Sequence, residues 1–431
     1  MYNSDDELFL LNFESEYNEF MKKNLLVILA FTVVSGISAQ NCTEDYTDFQ
    51  FGFSAEYDVF YGKALRFDGG WDSLRMNIFK PVGDENMHRP LLVMVHGGGF
   101  YGGNRSQFDA LCQWYAQRGY VTATISYRLG FNKLLFDYPF TFDQHEIIRA
   151  IYRGMQDTRG AIRFLKDRVA QDSIDINRIA LVGGSAGGFI SLAATYLDLP
   201  SEKPASAGSI SPFVFDPRPD LGPIEGTLNL NGHNTDVRAV VNIFGGMIDT
   251  SHVSSPSNPA IFSYHQTQDP VVACGYNKPY WALPLVPDNY PNAYGTCVMN
   301  ERFENLGFST DDWQSYIHAG DEHDVHDIIL VDSLIAEFLN YHLCQVSTNV
   351  NEVLSQNDFT LFPNPATDRL VVTSDSEIES LTVYDLVGQP VLQKSGFLNS
   401  YTLNIADLPR GIYLIKVQTG QKRMVKKVVL R

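Results

Sequence analysis

The chain predicts an α/β domain followed by a small all-β sandwich, and three observations carry that prediction. Strand-like apolar runs alternate with amphipathic helical stretches as far as residue 344. Two of these runs end directly in glycine-rich turns, at 96–100 and 183–187. Beyond residue 358 the pattern changes to short alternating strands separated by turn residues. At 431 residues, with 44% hydrophobic and 19% charged side chains, the chain is long enough for two folded units and too apolar for wholesale disorder.

Apolar runs at 74–79, 91–95, 121–125, 179–182, 239–244, 261–264 and 315–318 read as strands, and 106–118, 156–169 and 325–343 as helices. Alternation of this kind specifies a mostly parallel sheet covered on both faces. Three segments interrupt it: aromatic-rich 131–144, Pro-, Gly- and Ser-rich 200–234, and 276–295 with Trp281 among tyrosines and prolines. Each falls on the side where strands end, so each is expected either to wall the site or to be a plain surface insertion. The first domain is expected to span 41–344, and the polar stretch 345–358 to be a linker. Strands at 370–373, 381–385, 391–393, 401–405, 412–419 and 424–430 then predict the sandwich, 359–431.

The formal net charge of −18 argues against nucleic acid as a partner, because phosphate binding needs a basic surface. The acidity belongs to the first domain, since 359–431 holds nine Lys/Arg against six Asp/Glu. Within residues 1–40, Met21-Lys22-Lys23, an apolar stretch at 25–34 and small residues at 36–39 read as a secretory signal at 21–39. That stretch is too short to span a bilayer. The acidic residues of 1–20 oppose such a signal, so 1–20 is expected to be a start-site extension; the alternative is an acidic helix ahead of an internal anchor. Export would place the cysteines in an oxidising compartment. Cys274 with Cys297 is the preferred disulfide, Cys42 with Cys344 a second, and Cys112 a buried thiol.

Acyl transfer by a serine needs a base, a group orienting that base, and donors for the tetrahedral oxyanion. In Gly183-Gly184-Ser185-Ala186-Gly187 a serine sits between an apolar strand and a helical stretch, which marks Ser185 as the candidate nucleophile. Asp269, just past the strand at 261–264, is the preferred acid, with Asp249 as runner-up. His323, in the loop after the last strand, is the preferred base over His326 and His318. Backbone N–H groups of Gly98, Gly99 and Ala186 are the candidate oxyanion donors, with His96 bracing their turn. A metal site built from His318, Glu322, His323 and His326 is disfavoured, because their spacing matches no zinc-binding helix signature. Since the base must be neutral, activity is expected to rise through roughly pH 6 to 8.

His96-Gly97-Gly98-Gly99-Phe100, Tyr127-Arg128-Leu129, and 175–180 leading into the Ser185 turn together resemble the alpha/beta-hydrolases. Over residues 60–343 the chain is most similar to carboxylesterases of the hormone-sensitive-lipase type and to feruloyl- and acetyl-esterase-like enzymes. That resemblance implies an eight-stranded sheet, a Ser185-Asp269-His323 triad, an oxyanion hole from Gly98, Gly99 and Ala186, no cofactor, and hydrolysis of carboxylic esters. There are departures: Gly184 stands where relatives usually carry Asp, Gly130-Phe131 follows Leu129, and His323 sits among acids. The tail, with Leu361-Phe362-Pro363-Asn364-Pro365, Val383-Tyr384-Asp385 and Arg410-Gly411-Ile412-Tyr413, resembles a type IX secretion sorting domain of Bacteroidota. It implies engagement of the type IX machinery through 359–431, with the tail cleaved on export or retained at the surface. A carbohydrate-binding sandwich is the alternative, though the tail lacks the Trp that sugar stacking favours. The expectation is a secreted or surface serine esterase acting on small or polysaccharide-linked esters, acetyl or feruloyl groups first and short-chain or lipid esters next. A serine peptidase of the same fold and a non-catalytic binding protein are the competing readings.

Overall fold

A computed structural model describes residues 45–133, 140–344, 359–374, 376–384, 390–396, 399–406, 408–419 and 422–431. The expected signal segment, Cys42 and the linker 345–358 lie outside them. The chain divides into two compact units after Val346.

The first unit is built on eight strands: β1 Gly52–Leu65, β2 Trp71–Val82, β3 Arg89–Val95, β4 Val121–Ile125, β5 Ile174–Gly184, β6 Ala239–Ile243, β7 Ala260–Gln266 and β8 Trp313–His318. Their order is β1-β2-β4-β3-β5-β6-β7-β8, with β2 antiparallel to both of its neighbours, β1 and β4, and every other pair parallel. The central strands β3, β4 and β6 are buried along their whole length, as a sheet covered on both sides requires. Alternate residues of β3 and β5 feed two cores. Leu91, Val93, Ile179 and Leu181 meet the helices α2 (Gln144–Asp167) and α3 (Ala186–Tyr196). Leu92, Met94, Ala180 and Val182 meet α1 (Asp109–Gln117) and α5 (Ile328–Cys344). A further helix, α4 (Thr296–Leu306), leads into β8.

The expected strands are present within a few residues, while β1, the start of α2 and a strand at Phe359–Phe362 go beyond them. β1 was not expected, because most of its residues are exposed and two register shifts break any period of two. α2 begins at Gln144, twelve residues before the expected helix. Its first half carries Arg149 and Arg153, both buried. The reason is a ladder of hydrogen bonds from α2 to the segment 200–234. Arg149 donates to the carbonyls of Ser206, Gly208 and Pro219, Gln156 to those of Leu221 and Pro223, and Arg163 to those of Glu225 and Leu228. These carbonyls lie outside any regular ladder, so the helix supplies donors to them.

Cys274 and Cys297 form a disulfide, closing the 276–295 insertion at its base. Cys344 is also disulfide-bonded. Cys112 is a buried free thiol, and burial pushes its pKa up.

The second unit is a sandwich of two antiparallel sheets. Phe359–Phe362, Arg369–Ser374 and Ser400–Asn404 form one; Pro390–Ser395, Ser380–Tyr384, Gly411–Thr419 and Lys422–Leu430 form the other. Leu370, Val372, Leu381, Val383, Ile415 and Val417 alternate into the core between them. No described helix is long and apolar enough to cross a membrane.

Candidate active site

Four parallel strands end along one rim, and each hands the chain to one part of the site. β3 runs into His96–Gly99, β5 into Ser185, β7 into the Asp269 loop and β8 into the His323 loop. Their registers pair Val95 with Gly183, Gly184 with Ile243, Ile243 with Tyr264, and Gln266 with His318, so these ends are level.

Ser185 sits at φ 52°, ψ −121°, a conformation L-residues avoid. Sterics enforce the turn. A Cβ on Gly183 would lie 2.2 Å from the carbonyl oxygen of Gly187, and one on Gly187 only 1.9 Å from that of Val95. A Cβ on Gly184 would meet only the Phe108 ring, at 3.4 Å, so a side chain fits there. The Ser185 amide donates to the Ile243 carbonyl at 2.9 Å, tying the turn to β6.

His323 bridges the other two side chains. Its Nε2 lies 2.8 Å from Ser185 Oγ, and its Nδ1 lies 2.7 Å from Asp269 Oδ2. With Nδ1–H donating to the carboxylate, Nε2 accepts from the serine hydroxyl. Asp269 is fully buried, and its Oδ1 accepts from the amides of Val271 and Val272 at 2.8 and 2.9 Å. The aromatic ring of Phe244 packs 4.5 Å from the imidazole.

The glycine-rich turn after β3 closes on itself: the Gly98 carbonyl accepts from the amides of Tyr101 and Gly102. Gly98 and Gly99 have φ of 110° and 59°, values that favour glycine. Among the described residues the amides of Gly98, Gly99 and Ala186 donate to no protein acceptor. Ala186 opens α3, where an N–H has no intrahelical partner. His96 is buried, donates from Nδ1 to the Gly97 carbonyl at 2.7 Å, and stacks on Tyr127 at 4.5 Å. Burial lowers its pKa to about 4, so it is neutral at physiological pH.

A cavity of about 230 Å³ opens beside Ser185. Gly98 and Ser185 line it, and Phe108, Leu111, Ile243, Val325, Ile328 and Ile335 make its walls apolar. On another side Tyr280, from the 276–295 insertion, reaches the turn; a Cβ on Gly99 would lie 2.9 Å from its hydroxyl. The Tyr280 ring packs against Phe140 and Tyr290.

The other sequence candidates have different partners. Asp249 caps the turn Thr250–His252 by accepting from the Ser251 amide at 2.8 Å. His318 and His326 stack face to face at 3.6 Å, and His326 contacts the Tyr264 hydroxyl. Among the described residues no cluster of three or more His, Cys, Asp or Glu forms a metal-ligating group. Three residues escaped sequence reasoning. Gln266 accepts from the Glu322 amide and donates to the Asp324 carbonyl, clamping the loop that carries His323. His265 donates from Nε2 to the Val272 carbonyl, and Trp281 Nε1–H to the Asp269 carbonyl, which steadies the acid's loop. No motif marks them, because each acts on the backbone of an irregular loop whose path the sequence does not reveal.

Residues 76–268 match the BD-FAE family model, and residues 360–431 match the family described as "Secretion system C-terminal sorting domain". Among characterised proteins, Gut esterase 1 of Caenorhabditis elegans is 33% identical over 120 residues, 27% of this chain and 20% of that protein. Carboxylesterase 1D of Mus musculus is 34% identical over 119 residues, again 27% and 20%. The matches thus span about a fifth of these relatives' length. Of solved structures, esterase 2 of Thermogutta terrifontis phosphorylated by paraoxon aligns over 67% of this chain and 94% of its own, at 17% identity and TM-score 0.46. A truncated carbohydrate esterase from gut microbiota aligns over 69% and 98%, at 14% identity and TM-score 0.44.

Proposed function

We propose that this chain, whose residues 76–268 match the BD-FAE family model and whose residues 360–431 match a secretion-system C-terminal sorting domain, is a secreted serine esterase acting through Ser185, His323 and Asp269. The observation that carries this reading is the unbroken hydrogen-bonded chain from Ser185 Oγ through His323 to a buried, doubly capped carboxylate.

The chemistry follows from those contacts. His323 Nε2 takes the hydroxyl proton as Ser185 Oγ attacks the ester carbonyl carbon, and the imidazolium that forms is held by Asp269. The carbonyl oxygen becomes an oxyanion, stabilised by the amides of Gly98, Gly99 and Ala186. Collapse of that intermediate breaks the bond to the alcohol oxygen, which leaves with the proton from His323. Water, deprotonated by the same Nε2, then attacks the acyl-enzyme; Ser185 Oγ departs with that proton and the carboxylic acid is released.

The apolar cavity is the acyl site in this reading, because the alcohol must leave past His323, which does not line it. Its volume of about 230 Å³ exceeds the ~150 Å³ cavity that admits a benzene ring, so it holds far more than an acetyl group. A ring-bearing acyl group of the hydroxycinnamoyl type, or a medium-length chain, therefore fits better than acetate. The test is a hydrolysis panel of aryl esters from acetyl to octanoyl, feruloyl and acetylated oligosaccharides, and peptide anilides. Fluorophosphonate labelling, mapped by mass spectrometry, accompanies it. Labelling of Ser185 with a preference for cinnamoyl or medium acyl esters is expected. Cleavage of anilides alone, or labelling elsewhere, overturns the proposal.

A further inference from the structure

The first unit contains a second cavity of about 230 Å³ that shares no lining residue with the one beside Ser185. Arg128, Arg149, Arg153 and Arg218 line it, and Lys63 and Trp71 lie at the same cavity. Within a strongly acidic chain such a concentration of cations calls for an explanation.

Partners within the fold account for half of it. Arg128 pairs with Asp157 at 2.8 Å, and Arg218 with Asp143 at 2.5 Å and Glu146 at 3.3 Å. The lining carboxylates are thereby engaged, since Glu146 meets Arg218 and Asp220 meets Lys203 at 2.5 Å. Arg149 and Arg153 differ. Both are at least 97% buried, and among the described residues neither has a carboxylate within 4.0 Å. Arg149 is held by carbonyl oxygens alone. Arg153 makes one hydrogen bond, from Nη2 to the Gly130 carbonyl at 2.8 Å, and its buried Nε–H has no acceptor. Burial lowers the Arg153 pKa to about 9, which still leaves it charged at neutral pH. Glu146 and Asp157 act on the Arg153 guanidinium only through space. A buried guanidinium with no directly paired carboxylate and with a vacant donor is a costly arrangement, and an entering anion relieves it.

Trp71 adds the second half of a site. It is 59% exposed, and Lys63 Nζ lies 5.4 Å from its ring centroid. An exposed indole beside a polar, cationic cavity offers an apolar face to a sugar ring whose acid group reaches inward.

We propose that this cavity binds a uronic acid, with its carboxylate at Arg149 and Arg153 and its pyranose ring against Trp71. The site stands apart from the ester chemistry and is a point at which an acidic saccharide is held by the same chain.

Calorimetric titration of the intact protein with glucuronate, glucose and sodium sulfate tests it. Saturable binding of glucuronate, with no binding of glucose, is expected. Loss of one charged hydrogen-bonding partner in Arg153→Gln should weaken it roughly tenfold to a hundredfold. Because Arg153→Gln can fail to fold, Trp71→Ala is the parallel variant. It should weaken glucuronate about tenfold while leaving hydrolysis of a small aryl ester unchanged. Absence of saturation up to about 50 mM glucuronate, equal binding of glucose, sulfate binding as tight as glucuronate, or unaltered affinity in a folded Trp71→Ala variant would overturn the proposal. Aryl-ester hydrolysis reports on the serine-esterase reading separately, so the two ideas can fail independently.

Discussion

The indole Nε1–H of Trp281 donates to the backbone carbonyl of Asp269 at 2.7 Å. An insertion outside the regular α/β alternation is thereby fastened to the loop that orients the imidazole. The bond is to backbone, so its strength does not depend on the charge of the carboxylate. Replacing Trp281 by Phe keeps most of the packing and removes the donor. Because the residue is 37% exposed, the melting temperature should barely move. The kcat should fall about three- to tenfold, the worth of one neutral hydrogen bond. Steady-state kinetics beside a thermal melt would check this, and an unchanged kcat would remove Trp281 from the positioning network.

Single replacements in the proposed triad should be far larger and non-additive. Ser185→Ala and His323→Ala should each lower kcat by about 10⁴ to 10⁶, and the double variant should be no worse than either alone. Asp269→Asn is the informative third change, since it keeps the acceptor for the Val271 and Val272 amides. A folded Asp269→Asn protein with a loss of about 10⁴ separates orientation of His323 from loop stability.

The Ser185 turn predicts an asymmetry among its glycines. Alanine at 183 or 187 forces a Cβ to within about 2 Å of a carbonyl oxygen and should cost several kcal/mol or prevent folding. Alanine at 184 should be accepted within about 1 kcal/mol. Circular dichroism melts of the three variants decide the matter.

His96 predicts an acid limb in stability. Its pKa is lowered to about 4 in the folded protein against an ordinary 6.5, so the unfolded chain takes up the proton first as pH falls. The stability tied to its neutral form is complete above pH 6.5 and is lost between 6.5 and 4, at about 1.4 kcal/mol per pH unit. His96→Gln should flatten that part of the profile. Denaturant melts at pH 7 and pH 5 on both proteins would show it; identical slopes would refute the assignment.

Narrowing the apolar cavity should change acyl preference without disturbing the core. Ala110 lines that cavity from α1 and is only partly buried, so Ala110→Leu adds bulk where it can be accommodated. The kcat/KM for cinnamoyl or octanoyl esters should drop about tenfold, with acetyl esters affected less than twofold. Equal losses across the series would place the acyl group elsewhere.

Much of this molecule is legible before any coordinates. The Ser185 turn is local, since a strand, two close glycines and a helix start within eight residues specify it. The same holds for the glycines after β3 and for the alternating strands of the tail. β1 stayed hidden because its side chains are mostly exposed, and the first half of α2 because its arginines are buried against carbonyls.

Local pattern alone determined where the sheet, the sharp serine turn, the glycine-rich turn and the sandwich lie. Short-range sterics and hydrophobic periodicity are properties of neighbouring residues. Only the folded chain decided which histidine and which carboxylate meet Ser185, and that Gln266, His265 and Trp281 hold them. It also decided that Arg149 and Arg153 share a cavity with Trp71. Such contacts join strand ends far apart along the chain, and they depend on strand order and register.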